Sequence, residues 1–394
     1  MITRRQFFKL GAAAGTAMFL AGRTRWMQTA QASYQLAQTW FPGGGIPKFV
    51  EPLPTFVGLR QSAANITVEM TEFQQQVLPA SFYAALPAPF NAGTYVWGYN
   101  VNGTIPIYPG VTVESWRGTA QRMTYINNLP VSGSEVQKRV TVDQTLHWAD
   151  PLGEMCHMTG GMPMGSCMEP YSGPPPAVVH LHGGEVPSEF DGGPDQWYTP
   201  DGIQGKSYRT LEPDLINGAV YEYPNLQEAS TLWFHDHALG ATRTNVYSGM
   251  AAFYLLRDAW DNGLADNGPG LPWGNYEVEI ALQDKMFDSM GQLYFPDVGL
   301  NPEHPFWQPE FFGDVCVVNG KTWPFFNVEP RRYRFRLLGG ANARFWELRL
   351  WNRATKLPGP GIWVIGSDGG LLDTPVQYND PLLVKAPRLL IAPG

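Results

Sequence analysis

The sequence predicts an all-β protein made of tandem sandwich or barrel domains. Gly 43 and Pro 35 together supply about a fifth of its 394 residues, which implies many turns. Aromatic and β-branched residues are plentiful, while long amphipathic helical windows are scarce. Short strand-like segments bounded by turn residues begin near residue 61, stop at a polar stretch after 258 and then start again.

Residues 1–32 form a targeting segment. "TRRQFFK" places Arg4 and Arg5 before Phe7 and Phe8, and "LGAAAGTAMFLAG" follows with 13 largely apolar residues. That run is too short to span a bilayer as a stop-transfer helix. "AQA" at 30–32 offers a small-residue cleavage site. The paired arginines with their flanks resemble a twin-arginine export signal. The expected partner is the twin-arginine export machinery, and the expected location is the periplasm or cell exterior. No stable membrane insertion is expected after cleavage. Without this segment 22 basic residues face 35 acidic ones, a formal −13. That balance disfavours nucleic acid and anionic lipid as partners.

Residues 33–60 are rich in Gly and Pro and read as an extended arm wrapping the surface. Residues 61–258 form a first domain from "ANITVEMTEFQQQVLP", "TAQRMTYINNLP", "PAVVHLHGG", "STLWFHDH" and "GMAAFYLLRD". The alternation suits an antiparallel sandwich or barrel. "HALGATRTNVYSG" has room for one short helical turn. Residues 259–275 are turn-rich and read as a linker. A second all-β unit follows over 276–394, with "YEVEIALQDKMF", "GDVCVVNG", "PRRYRFRLLGG", "RFWELRLW" and "GIWVIGSDGG".

Seven histidines occur. His180 and His182 form one H-x-H, and His235 and His237 another. Residues i and i+2 of a strand share a face, so each pair presents two imidazoles side by side. Two such strands together put four imidazoles on one cavity, a donor set suited to copper, zinc, iron or nickel. One H-x-H alone is as readily two polar residues on a solvated face. Two pairs, each led in by an apolar run, argue for metal. Gly183 and Gly184 allow the backbone to approach where side chains would crowd the metals. Amidohydrolase barrels also use H-x-H but need strand–helix alternation. Cupins want a third histidine in a different setting, and metallo-β-lactamases need H-x-H-x-D-H. None of these fits.

The segments "VVHLHGGEVPSEFDGGPDQWYTPDG" and "STLWFHDHALGATRTNVYSGMAAFYLLRD" resemble the first domain of multicopper oxidases, above all the bacterial spore-coat laccase and bilirubin oxidase branch. "VNGKTWPFFNVEPRRYRFRLLGGANARFWELRL" resembles the family's second domain. The resemblance implies cupredoxin-like Greek-key sandwiches in tandem. It implies copper, with His180 on the type 2 ion and His182, His235 and His237 on the type 3 pair. It implies an acid beside the copper ligands, Asp191, assisting proton delivery to oxygen. It further implies one-electron oxidation of phenols, bilirubin-like pyrroles or metal ions coupled to reduction of O2 to water. The family's later histidine-rich and His-Cys-His motifs do not occur in these residues. The expectation is therefore an unfinished second domain, an absent third domain, no type 1 copper site, half a trinuclear cluster and no turnover by this chain alone. The alternative is a non-enzymatic periplasmic copper-binding or copper-tolerance protein.

"EMCHMTGGMPMGSCME" gathers Met155, His157, Met158, Met162, Met164 and Met168 with two cysteines. Soft thioethers favour Cu(I), so one reading is an accessory copper loop. The other is an insert strapped by a disulfide between Cys156 and Cys167, its methionines ordinary packing. Cys316 reads as an inert core residue. His147 and His304 read as structural and loop residues.

Overall fold

A computed structural model describes residues 38–153, 157–159, 162–164, 170–296, 307–308, 310–380 and 388–394, the two short stretches 157–159 and 162–164 by backbone alone. The arm supplies β1 (Trp40–Phe41). The first unit holds β2 (Asn65–Gln75), β3 (Thr94–Val101), β4 (Gly110–Trp116), β5 (Gln121–Asn127), β6 (His157–Thr159), β7 (Met162–Met164), β8 (Val179–His182), β9 (Gly218–Tyr223), β10 (Ser230–Asp236) and β11 (Ala251–Arg257). The second holds β12 (Glu277–Asp288), β13 (Leu293–Tyr294), β14 (Val315–Val318), β15 (Lys321–Thr322), β16 (Arg334–Gly339), β17 (Trp346–Leu348), β18 (Trp351–Asn352), β19 (Leu357–Pro358), β20 (Ile362–Ser367), β21 (Gly370–Tyr378) and β22 (Leu389–Ile391). Among the described residues no helix is long and apolar enough to cross a membrane.

The first unit is a two-sheet sandwich. One sheet runs β3-β2-β5-β9 and the other β4-β11-β10-β8. Period-two burial builds it: in β5, Gln121, Met123, Tyr125 and Asn127 point inward while the residues between them are half-buried. Tyr99, Tyr125, Tyr221, Tyr223, Tyr254 and Phe234 fill the space between the sheets. The antiparallel expectation needs correcting, because each sheet contains one parallel pair, β2 with β5 and β4 with β11. The second unit repeats the device, β12 running parallel to β16. Parallel neighbours need crossover connections, which sequence alternation alone does not reveal.

All seven residues of β11 are buried, because both faces of its sheet are covered. On the outer face Trp233, Ala251 and Phe253 pack against Ala281 and Leu338 of the second unit and Phe56 of the arm. The arm does more than wrap the surface. Its β1 pairs with β12, and Phe49 and Leu53 donate backbone hydrogen bonds to Trp323 and Phe325. It straps the second unit to the first. Residues 258–273 carry no strand, and "RTNVYS" lies in a helix, Thr242–Ser248, longer than the single turn expected. Among the described residues the later strands form separate two-stranded ribbons, β17-β22, β18-β19 and β20-β21, leaving Trp351, Trp363 and Leu390 exposed.

Lys285 lies between the units, its Nζ 4.5 Å and 4.9 Å from the ring centroids of Tyr247 and Tyr108 and donating to the Tyr247 carbonyl. Burial pushes its amine down to about 7. The unfolded chain holds that proton to about pH 10.5. Between these values the unfolded state binds more protons, so stability from this residue rises with pH by at most about 1.4 kcal/mol per unit. Lys285→Met is expected to flatten the rise. Denaturant melts of both proteins at pH 7 and pH 10 check it, and an unchanged pH slope in the variant would refute it.

Candidate metal centre

β8 and β10 are antiparallel neighbours with His180 directly opposite His235. The two-residue period then puts His182 and His237 on the same face. The ring centroids of His180 lie 5.7, 5.6 and 5.0 Å from those of His182, His235 and His237. His182 and His235 are 5.3 Å apart, and His235 and His237 5.8 Å. Both H-x-H pairs therefore meet, as the sequence predicts.

The nitrogens sort by their partners. Nδ1 of His180 donates to the Asp191 carbonyl at 2.6 Å, leaving Nε2 free. Nδ1 of His235 donates to the Asp236 carbonyl at 2.7 Å, again leaving Nε2. Nδ1 of His182 lies 3.1 Å from that Nε2 of His235. Two nitrogens each about 2.0–2.1 Å from one ion, at an angle near 100°, sit about 3.1–3.2 Å apart. The His182–His235 pair has that spacing. Nδ1 of His237 is buried without a hydrogen-bond partner among the described residues. Among the described residues no three donor side chains already converge on one point, so the four rings form an open rim.

Burial, reinforced by the neighbouring rings, pushes His235 down to about 3, although its bond to the Asp236 carbonyl opposes this. Burial and then His180 lower His182 and His237 as well. These three rings are neutral near pH 7, the form that binds metal. The donor set thus fits an imidazole-loving ion.

Two neighbours escaped the sequence reading. Trp233 stacks on His235 at 4.1 Å and lies 5.3 Å from His182. It stands two residues before His235, so the same period could have placed it. Asp236 points to the opposite, fully buried side. Its carboxylate accepts the N–H groups of Val178 and Ala238 and the Asn245 amide at 3.0–3.2 Å, pinning the two histidine segments together. Burial pushes it up to about 7.

Other expectations are modified. Asp191 is beside His180, but its carbonyl makes the close contact; its carboxylate is 3.4 Å away and 42 % exposed. Gly192 (φ +67) lets the chain turn there, since a Cβ would fall 1.9 Å from the Val179 carbonyl oxygen. Gly183 (φ +81) serves a left-handed turn against Leu232, and a Cβ at Gly184 would meet Leu181; neither contact is with the imidazole cluster. Cys316 is half-buried, with burial raising its thiol to about 11, which suits an inert residue. His147 is exposed. β6 and β7 pair antiparallel, His157 opposite Met164, Met158 opposite Pro163 and Thr159 opposite Met162. Met155, Met168, Cys156, Cys167, His304 and residues 1–37 lie outside the described residues.

No protein-family model matches the sequence. The chain is 37% identical over 349 residues to a laccase of Bacillus stratosphericus and 33% identical over 350 residues to a laccase of Bacillus subtilis (strain 168), covering 87% of itself and 58% of the relative in each case. It is 31% identical over 354 residues to multicopper oxidase LPR1 of Arabidopsis thaliana, covering 89% of itself and 53% of that protein. The chain belongs to the multicopper oxidase family. It spans little more than half the length of these relatives. Among solved structures, the McoA multicopper oxidase of Aquifex aeolicus matches with a TM-score of 0.56 at 22% identity, over 88% of this chain and 56% of that one. A laccase of Pediococcus acidilactici matches with a TM-score of 0.54 at 21% identity, over 92% and 58%. Those two likenesses speak for the fold. Copper is the metal the family implies, and imidazoles gathered on one face of the sheet fit it.

Proposed function

We propose that residues 38–394 supply one half of the oxygen-reducing copper cluster of a multicopper oxidase. The oxidase would take single electrons from a phenolic, bilirubin-like or metal-ion reductant. The observation that carries the reading is the 3.1 Å approach of Nδ1 of His182 to Nε2 of His235, inside a rim of four imidazoles. Copper, when bound, supplies the one-electron redox steps that O2 reduction requires.

The chain's own residues orient and shield. His182 and His235 would share one type 3 ion, His237 would serve the other, and His180 would offer Nε2 to the type 2 ion. The carbonyls of Asp191 and Asp236 fix the rings of His180 and His235. Trp233 covers His182 and His235 and keeps water from that side. The Asp191 carboxylate, at the exposed edge of His180, can hold a proton at Oδ1.

Besides the four rim histidines the sequence holds His147, His157 and His304, and Cys316 has no histidine beside it in sequence. On this reading these residues carry no type 1 copper motif, so copper binding without turnover is what the reading expects of them. Copper titration against a chelator, with electron paramagnetic resonance, optical spectra and oxygen uptake in the presence of a phenol, tests it. Tight uptake, a nitrogen-split Cu(II) signal, no intense blue band and no oxygen uptake are expected. Absence of tight copper would overturn the whole reading, and turnover would overturn the inactivity. Bound Cu(I) inert to O2 would favour a copper-handling protein instead.

A further inference from the structure

The outer nitrogen of His182 differs from those of His180 and His235. A metal-bound imidazole almost always donates its other N–H to a carboxylate, a carbonyl or water. His180 and His235 each turn Nδ1 to a carbonyl, Asp191 and Asp236. His182 is reversed. Its Nδ1 faces His235, so its outer nitrogen is Nε2. The Cε1–Nε2 edge faces the second unit: a Cβ built on Gly394 would lie 3.5 Å from Cε1 and 3.8 Å from Nε2.

The hairpin of β20 and β21 comes to the same place. Its tip, 367–370, packs against the β8 and β10 side of the first unit. A Cβ on Gly183, the residue after His182, would lie 3.8 Å from Asp368 Cβ and 3.9 Å from Asp368 Oδ2. A Cβ on Gly370 would lie 2.7 Å from Oε2 of Glu228 in the first unit. Among the described residues, the charge of Asp368 opposes the fall that burial and His180 impose on His182.

We propose that Asp368, carried by this hairpin and close to His182 without an ion pair to it, is the outer carboxylate that takes the Nε2–H of His182 when a metal holds Nδ1. Asp368 is a positioning residue, and it makes the first unit's metal rim depend on the docking of the second. The free chain sharpens the need. Because the His235 Nδ1–H is given to the Asp236 carbonyl, His235 Nε2 is an acceptor, and the 3.1 Å contact requires the proton on Nδ1 of His182. Metal must displace that proton, and a carboxylate at Nε2 favours the tautomer in which it is already gone.

This inference rests on the copper-rim reading above. The test uses the full chain loaded with Cu(I), which is diamagnetic, and 15N-labelled histidine. In the parent protein the His182 Nε2–H is expected as a slowly exchanging resonance. Asp368→Ala is expected to lose it and to weaken Cu(I) binding about 10–100-fold. Asp368→Asn, which keeps the shape and can still accept, should fall between. Asp373→Asn, exposed on the same hairpin, should change neither. If Asp368→Ala loosens the hairpin, as thermal melting would reveal, the isosteric Asp368→Asn decides alone. An unchanged resonance and affinity in whichever variant decides overturn the proposal. His182→Ala separates the layers. If it abolishes binding while Asp368→Ala does nothing, only this inference fails; if it binds copper normally, the underlying reading fails.

Discussion

Replacing His182 and His235 together by alanine is expected to abolish tight copper uptake, while His147→Ala leaves it intact. The two nitrogens are 3.1 Å apart, the spacing of two ligands on one ion, so the double variant removes both ligands of that position. A four-ligand structural zinc site is worth about 10–16 kcal/mol. Each imidazole then carries about 3 kcal/mol, and losing two costs about 6 kcal/mol, or roughly four decades in affinity. Single loss of His237 should be milder, because its ring lies 5.0 Å from that of His180 and, among the described residues, no nitrogen pair forms with it. Chelator competition reads the result. His235 is buried and stacked under Trp233, so the double variant also opens a space beside that indole, and a melting curve separates misfolding from lost ligation. A folded double variant that still binds one copper with parent affinity would refute the pairing.

What the sequence made legible at this site follows from one local rule. Both H-x-H pairs obey the strand period, so the shared face of His180, His182, His235 and His237 could be read without a structure. Their sheet partnership could not. β8 and β10 are separated by β9, which belongs to the other sheet. Asp368 was equally invisible, because it reaches the rim from a hairpin 186 residues after His182 and no periodicity links them. The arm's union with β12 is another long-range backbone pairing with no local signal. β16 shows the opposite failure, where the local rule points the wrong way. "RYRFRLL" would ordinarily turn Phe335 inward and the arginines out, yet Arg334 and Arg336 are buried and Phe335 is 44% exposed. Phe335 instead stacks on Tyr333 at the surface. The reason for the inversion is a set of acids waiting inside.

That set makes Glu277→Gln the most destabilising single change expected outside the metal rim. Arg60, Arg257, Arg334 and Arg336 interlock with Glu114, Asp261, Glu277 and Glu279, a balanced set drawn from the arm, β4, β11, the linker, β12 and β16. Glu277 is its hub and is fully buried. It accepts two bonds from Arg257 at 2.9 and 2.8 Å and one from Arg336 at 2.8 Å, with Arg60 and Arg334 each at 3.3 Å. Burial raises its carboxyl, but the guanidiniums outweigh burial and hold it far below the usual range. Arg336 pays the converse cost: burial and then Arg334 pull it down to about 10, so it remains charged near neutral pH. Removing the hub's charge leaves four cations, three of them buried, against three anions. Breaking such a network costs about 3–5 kcal/mol. Because Arg336 also donates to Thr231 on β10, the damage should reach the contact between the units, and proteolysis within 258–273 should quicken. The acid dependence has a definite sign. A carboxyl whose folded value is depressed stabilises the fold above about pH 4.5 and loses that contribution as pH falls through the folded value. The parent protein should therefore lose stability below pH 4.5 more steeply than Glu277→Gln, which has already lost the group. Parallel slopes in acid, or a denaturation midpoint unmoved at neutral pH, would show that the network does not couple the two units.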